Sequence, residues 1–328
     1  MTTLLNLTDR AAVETATDYF PWILLFIIYI VAGVGLPNLL SLNQIEQVLV
    51  QSTPVILLAI GLGFCLIVGE FDLSIIGVLT FAPLVGLHLI NEFGLPPALG
   101  FVAIVIVGLI IGSINGVLIT KLGIPSLILT LATWWILEGA VLSITGGRTV
   151  ANIPNLFRTI GIGDVVGLRY LVIIALITAF VAWYFSVAIL QGRRLFLVGG
   201  DADACLRLGI DVDQQKILAF ALSGAFAALA GLLLVSRVGS LSSGTGSELL
   251  MPAIAAPVIA GVSLFGGTGK VINIIAGAIL VRALLTIVRV AGVSGTEFQM
   301  VQGILVLIVI LVMEGRIRHI LTQKFIGA

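Results

Sequence analysis

Residues 45–90 read IEQVLVQSTPVILLAIGLGFCLIVGEFDLSIIGVLTFAPLVGLHLI, a long apolar run interrupted only by Glu70-Phe71-Asp72. A helix needs about 20 apolar residues to cross a hydrocarbon core about 30 Å thick. The run is too long for one crossing, and Glu70 and Asp72 mark where the chain turns back. Two transmembrane helices joined by a short polar connection are therefore expected. The same texture recurs along the chain, so this stretch decides the fold.

Composition supports that reading. Charged residues make up 10% of the 328 residues and the AVILMFWYC set 59%, with a mean hydropathy of +1.24. A typical soluble domain carries about 25% charge; so few charges cannot cover a water-exposed surface of this size. Basic and acidic residues balance at 16 each without any block of like charge, which excludes a nucleic-acid surface, since that needs clustered Lys and Arg. The 38 glycines point to helix faces that approach closely inside a bilayer.

Further crossings are expected near 21–37, 98–119, 125–144, 169–190, 216–236, 249–265, 271–290 and 299–314. The fold class is an all-α membrane protein, a polytopic bundle of about ten transmembrane helices. Prolines 54, 83, 125, 252 and 257 predict that some helices are bent or broken. Residues 1–20 are polar, with Arg10, Glu14 and Asp18 but neither a basic start nor a small-residue cleavage site. They read as a cytoplasmic tail and not a signal peptide. Residues 21–314 form the membrane domain and 315–328 a second cytoplasmic tail.

An even number of crossings puts both termini on one side, which the positive-inside rule tests. The inner segments would hold Arg10, Lys121, Arg193, Arg194, Arg207, Lys216, Lys270, Arg316, Arg318 and Lys324. The outer ones would hold Arg148, Arg158, Arg169, Arg237 and Arg289, with Arg282 inside a span. Both termini are thus expected in the cytoplasm.

Most chemistry is missing from the pattern. Cys65 and Cys205 read as free thiols, and His88 and His319 lack metal-ligand neighbours, so neither a metal site nor a triad is expected. Gly266-Gly267-Thr268-Gly269-Lys270 resembles a P-loop, but Leu264 and Val271 occupy positions where phosphate and magnesium binding need Gly and Ser or Thr. The chain is expected to hydrolyse no ATP, to be no enzyme and to need no cofactor. Small-residue faces recur at Gly108, Gly112 and Gly116 and at Ser223, Ala227 and Gly231, as helix packing in membranes requires.

Two connections are long enough to act. The outer one, 145–168, is either a contact for an external partner or a solvated connector. In the inner one, 191–215, Asp201 suits an N-cap and Gly209 a C′ position, bracketing a short helix from Ala202 to Leu208. Asp203 and Arg207 form an i,i+4 pair within it. A capped helix in the longest cytoplasmic connection is a docking knob through which a soluble partner can push on the spans.

Several stretches carry a resemblance. Phe71-Asp72-Leu73-Ser74, Asn115-Gly116-Val117-Leu118 with Gly123-Ile124-Pro125 and Thr130-Leu131, and Val198-Gly199-Gly200-Asp201 through Ala204 to Gly209-Ile210 follow in order. So do Phe220, Ser223-Gly224, Ala227, Ala230-Gly231, Ser236-Arg237, Ile254-Ala255-Ala256, Gly261, the Ser263–Gly269 segment, Gly277-Ala278 and Gln302-Gly303. Over roughly 45–310 the chain resembles the ribose/xylose/arabinose-type permeases of ABC importers, which are distantly similar to branched-chain amino-acid permeases. The resemblance implies a bacterial inner-membrane subunit that forms the pathway for a sugar or sugar-like solute. It also implies a cytoplasmic ABC ATPase, a periplasmic solute-binding protein and a second permease subunit (homo- or heterodimer) as partners, with the lipid bilayer around the permease itself and no nucleic acid. Gly199, Gly200, Asp201, Ala204, Arg207, Gly209 and Ile210 would then form the ATPase-coupling segment.

The sequence also departs from that pattern. Asp201, Leu208 and Asp211 stand where Asn, Ser and Asn are usual, Glu138 where Arg is, Arg282 where Gly is, and Thr286-Ile287 where Asn-Gly is; Glu248 comes two residues early. A charge at mid-membrane costs about 2.5–3.5 kcal/mol on insertion scales, so Arg282 should face protein or a water-filled cavity. Glu70, Asp72, Glu138 and Glu248 are its candidate partners, in a structural salt bridge or in a gate. Asp72, Asn115, Thr130, Glu138, Glu248 and Arg282 are the candidates for the pathway. A branched-chain amino-acid permease is the alternative that Arg282 keeps open, and a stand-alone secondary transporter the third; solute and homodimer or heterodimer stay open.

Overall fold

The computed structural model describes residues 2–293, 297–304 and 307, with side chains from Tyr19 onward. The expected tail 315–328, with Arg316, Arg318 and Lys324, lies outside the described residues, as does most of the second half of the last expected span. Helix α1 (Thr2–Gly35) continues the polar start without a break into the first apolar stretch. A 3₁₀ turn at Pro37–Leu40 leads to α2 (Leu42–Ile67), which Ser41 caps by accepting a hydrogen bond from the Gln44 N–H. The quoted run then splits as expected: residues 68–74 turn back, and α3 covers Ile75–Phe93. Then come α4 (Pro97–Leu122), α5 (Ser126–Thr145), α6 (Asn155–Ile162) and α7 (Tyr170–Ala188). They are followed by α8 (Leu190–Gly200), α9 (Ala202–Arg207), α10 (Val212–Val238), α11 (Leu250–Ile259) and α12 (Val271–Val290), with residues 297–304 helical as well.

Seven of these helices (α2, α3, α4, α5, α7, α10 and α12) are long and apolar enough to cross a membrane, and Tyr19–Gly35 and Ser247–Ile259 are shorter apolar helices. The stretch expected as a span at 249–265 is broken. Pro257 lacks an N–H, Gly261 takes φ +80°, and α11 stops at Ile259. The residues beyond run on irregularly, which at membrane depth requires burial in protein; Ala260 and Val262 are buried. Pro125, by contrast, sits at the N-cap of α5, and α2 and α3 remain helical through Pro54 and Pro83.

Packing is organised around α2, whose apolar window is 94% buried against 17% for α5. Helix α10 lies along it and packs most extensively on α4. Glycine makes that seam possible. A Cβ on Gly112 would collide with the Phe220 carbonyl, one on Gly116 would lie 2.7 Å from the Ile217 Cα, and Gly108 meets Gly224 and Ala228. The two expected small-residue faces do not pair with each other: Gly231 lies against the Leu79 carbonyl of α3, and Ser223 packs on Gly61 of α2. Helix α10 therefore has small residues on more than one side, as its place between three helices demands.

Ion pairs mark the two ends of the bundle. Lys216 meets Glu70 at 2.5 Å and Lys121 meets Asp213 at 2.6 Å at one end; Arg169 meets Glu46 at 2.6 Å at the other. The second end also holds the 145–168 connection, which is no loose solvated connector. Helix α6 buries Phe157 and brings Gly161 onto the Ser236 carbonyl, strands β1 (Asp164–Val165) and β2 (Leu168–Arg169) form a small antiparallel ladder, and Val150 bridges to Leu241. Lys121, Arg193, Arg194, Arg207, Lys216 and Lys270 lie toward the first end; Arg148, Arg158, Arg169, Arg237 and Arg289 lie toward the second. The inside excess of basic residues expected from the sequence thus rests largely on Arg10, Arg316, Arg318 and Lys324, whose side chains are outside the described ones.

Candidate functional site

The expected coupling helix forms almost as read. Asp201 is extended and its carboxylate accepts from the Ala204 N–H at 2.8 Å, while Gly209 takes φ +75° just past the end. The helix runs Ala202–Arg207, with Leu208 as its C-cap. Cys205 is buried with Val198 and Val212, and Ala202 and Ile210 pack beside them, which fastens the inner face. Leu206 and Leu208 are 58% and 78% exposed, and Asp203 and Arg207 are exposed beside them. This is a small mixed apolar and charged surface at the first end of the bundle. Sequence reasoning missed α8, which precedes it and makes the connection a stiff two-helix element.

Glycines tie that element to the bundle. A Cβ on Gly199 would run into the Ile67 carbonyl and lie 2.6 Å from the Gly267 nitrogen. The Gly267 N–H donates to the Ile67 carbonyl at 2.9 Å. Gly266 and Gly267 take φ +94° and +79°, and the Cβ position of Gly266 lies 2.7 Å from the Gly199 oxygen. The P-loop-like segment is therefore the surface on which the α8–α9 element sits. Three backbones (the end of α2, the end of α8 and the connection from α11 to α12) meet where side chains do not fit.

One turn further in, the break after α2 is held by hydrogen bonds. Asp72 is fully buried, and its Oδ1 accepts from the Ser74 N–H at 2.9 Å and from the Ser74 hydroxyl at 2.6 Å. Asn115 of α4 donates to Ser74 Oγ at 3.0 Å and accepts from Thr133 of α5 at 2.8 Å. Thr130 accepts from the Leu73 N–H at 3.1 Å, and Ser126 from the Phe71 N–H at 3.2 Å. The structure thus brings together Asp72, Asn115 and Thr130, and adds Ser74, Ser126 and Thr133. Polar residues at spacings of three and four on the apolar α5, at 126, 130 and 133, were the available signal.

The other three candidates lie away from that network. Glu138 accepts from the Ser243 hydroxyl and from the Gly244 N–H, so it closes the turn after α10. Glu248 is exposed, and its carbonyl accepts from the Gln302 amide at 3.0 Å. Arg282 is 8% exposed and donates to Gln51 of α2 at 2.6 Å. The salt bridge expected for it is absent among the described residues, and Glu70 is taken by Lys216. Gln51 was missed, although a Gln-Ser-Thr run inside a span is itself a polar signal.

A family model described as branched-chain amino acid transport system / permease component matches residues 44–311. The autoinducer 2 import system permease protein LsrC of Enterobacter sp. (strain 638) is 32% identical over 291 residues, covering 88% of this chain and 83% of that protein. The ribose import permease protein RbsC of Haemophilus influenzae is 31% identical over 290 residues, covering 87% and 89%. No solved structure matches the chain. A match along most of the chain, relatives of this identity and seven helices able to span a bilayer have one meaning: the chain belongs to the family of permease components of branched-chain amino acid transport systems and is a multi-pass membrane protein, a permease and not an enzyme.

Proposed function

We propose that this chain is the pathway-forming subunit of a binding-protein-dependent ABC importer for a sugar or sugar-like solute. The ATP is hydrolysed by a separate cytoplasmic ATPase, a periplasmic protein delivers the solute, and a second permease subunit completes the pathway. In this reading the chain sits in a bacterial inner membrane with the α8–α9 end and both termini in the cytoplasm. The observation that carries it is the exposed, capped α9 seated through Gly199 and Gly267 on the end of the central helix. Such an element can pass a push to the bundle without bending. The import of ribose and of autoinducer 2 by relatives supports a sugar-like cargo, and polyhydroxylated solutes are passed by hydrogen bonds in a cavity with few charges.

In mechanism, closure of the ATPases displaces α8–α9, and the displacement reaches α2 directly. The Asp72–Ser74–Asn115–Thr133 chain carries it on to α4 and α5, so the pathway alternates its access. ATP shifts the population only because the ATPase contacts differ between the two states. The test is reconstitution of this chain in proteoliposomes with its second permease subunit, its ATPase and its binding protein. Uptake is expected only with ATP and only with every component present. Uptake by this chain alone on an ion gradient would refute the assignment and favour a secondary transporter.

A further inference from the structure

Phe265 is 83% exposed, and no aromatic side chain among the described residues is more so. Most other exposed apolar side chains lie on the long helices, whose outer faces lipid covers in a bilayer. Phe265 lies instead in the connection from α11 to α12, at the same end of the bundle as α9. Its carbonyl oxygen is 3.5 Å from the Cβ position of Gly69, the second residue beyond α2. Helix α2 is the one the others surround, so Phe265 sits beneath the middle of the bundle and not at its lipid-facing rim. The turn that carries the ring is stiff. The Ser263 hydroxyl accepts from the Phe265 N–H at 3.1 Å, the Ser263 N–H donates to the Thr268 carbonyl at 3.1 Å, and Leu264 packs on the core. The left-handed Gly266 and Gly267 that follow rest on Gly199 and Gly200, the Cβ position of Gly267 lying 2.8 Å from the Gly200 Cα. Asp201 caps α9 directly afterwards. Phe265 and the exposed Leu206 and Leu208 are thus presented by one backbone-locked unit. A single exposed apolar residue means little on a surface. An aromatic ring held out on a rigid turn, on the same unit as two exposed leucines, has the composition of an interface core.

Resting on the reading of α9 as the docking element, we propose that Phe265 is a second anchor for the same cytoplasmic ATPase, received in an apolar pocket on its permease-facing surface. The occupant is a soluble protein because the ring stands under the central helix, where lipid does not reach. A single contact lets two bodies pivot about it, whereas a second contact fixes the direction in which one pushes the other. Both pushes arrive at the same place: Gly199 bears on the Ile67 carbonyl at the end of α2, and the Phe265 carbonyl lies against Gly69 just beyond it. The segment that resembles a phosphate loop therefore serves the ATPase as a contact and not as a nucleotide site.

The complete importer is assembled in membranes with the photoreactive residue p-benzoylphenylalanine in place of Phe265, and in a parallel sample in place of Leu208. Irradiation is expected to join both positions to the ATPase. Phe265→Ala should weaken binding of the ATPase to the permease pair about tenfold, as loss of an interface anchor does, and lower uptake per ATP. Phe265→Leu should keep most of both. The melting midpoint of the permease pair alone should not move, because the ring is exposed and the turn is held by Ser263 and the glycines. Position 208 reaching the ATPase while 265 joins residues 315–328 of this chain, the second permease subunit or lipid, or joins nothing, overturns the proposal and leaves the docking role of α9 intact. Unchanged binding in Phe265→Ala overturns it as well, and so does a lowered midpoint of the permease pair, which would make the ring structural. If neither position reaches the ATPase, the docking reading of α9 falls, and this inference with it.

Discussion

The two ends of the bundle are built from different contacts. At the Gly199 end, backbone meets backbone: Gly199 on the Ile67 carbonyl, Gly266 on Gly199, and the Gly267 N–H on Ile67. The Arg169 end has its own backbone contacts, Gly161 on the Ser236 carbonyl and Val150 with Leu241, but there side chains also reach across between elements: Glu138 to the Ser243–Gly244 turn, Arg282 to Gln51, Arg169 to Glu46. A backbone contact without intervening side chains has almost no slack, since packed interiors are bistable and not continuously deformable. A side-chain contact can break, rotate and form again. Under the proposed function, the backbone contact at Gly199 carries the push, and the side-chain contacts at the other end are the ones free to open and close around a solute.

The comparison breaks first at Gly199. Gly199→Val places its Cβ against the Ile67 carbonyl, and overpacking of this kind costs about 3 kcal/mol. ATP-driven uptake should fall to background, with lower membrane abundance, as immunoblotting and uptake would read. Normal uptake would mean that the two backbones separate freely. Next comes Asn115→Ala, which removes the bridge between Ser74 and Thr133 while Ser74 keeps Asp72 and Thr133 keeps the Leu129 carbonyl. Two lost hydrogen bonds at about 0.5–1.5 kcal/mol each should be measured as a lower melting midpoint in detergent. An unchanged midpoint would remove the network as the tie between the break and α4–α5.

Smaller effects sharpen the contrast. The Lys216–Glu70 pair has side chains 27% and 14% exposed; a partly exposed pair contributes about 1 kcal/mol. A double-mutant cycle on melting in detergent should return a coupling of that order, falling as salt rises. The Arg169–Glu46 pair is more exposed, at 35% on both sides, and Arg169→Ala should leave melting unchanged within error. If Arg169→Ala destabilised more than Lys216→Ala, the ends would not differ as described.

Much of this was legible in the sequence, for identifiable reasons. The double crossing in 45–90 followed from length and from Glu70 and Asp72 alone. The cap at Asp201 and the glycine at 209 fixed α9 to within one residue, because both positions carry strong local preferences. Hydropathy was silent on what a span faces: α2 and α5 score 2.0 and 1.8, yet their windows are 94% and 17% buried. Partners were harder still. Gly266–Gly269 could be excluded as a phosphate site, but not matched with Gly199, because their contact joins segments far apart in the chain. Arg282 was expected to find an acid; it found Gln51, since burial ranks residues by cost and does not name their neighbours.

The central claim is that α9 is where a separate ATPase drives this bundle. Hydrolysis and uptake, measured together in the same proteoliposomes for the wild type and for Gly209→Glu, test it most directly. Gly209 has φ +75° on the exposed side of the element, so Glu there costs about 1–2 kcal/mol of backbone strain and adds a charge to the docking surface. Hydrolysis should continue while uptake per ATP falls at least about tenfold, a loss of about 1.4 kcal/mol of coupling. An unchanged ratio of solute to ATP, with the variant present in the membrane at normal abundance, would contradict the account.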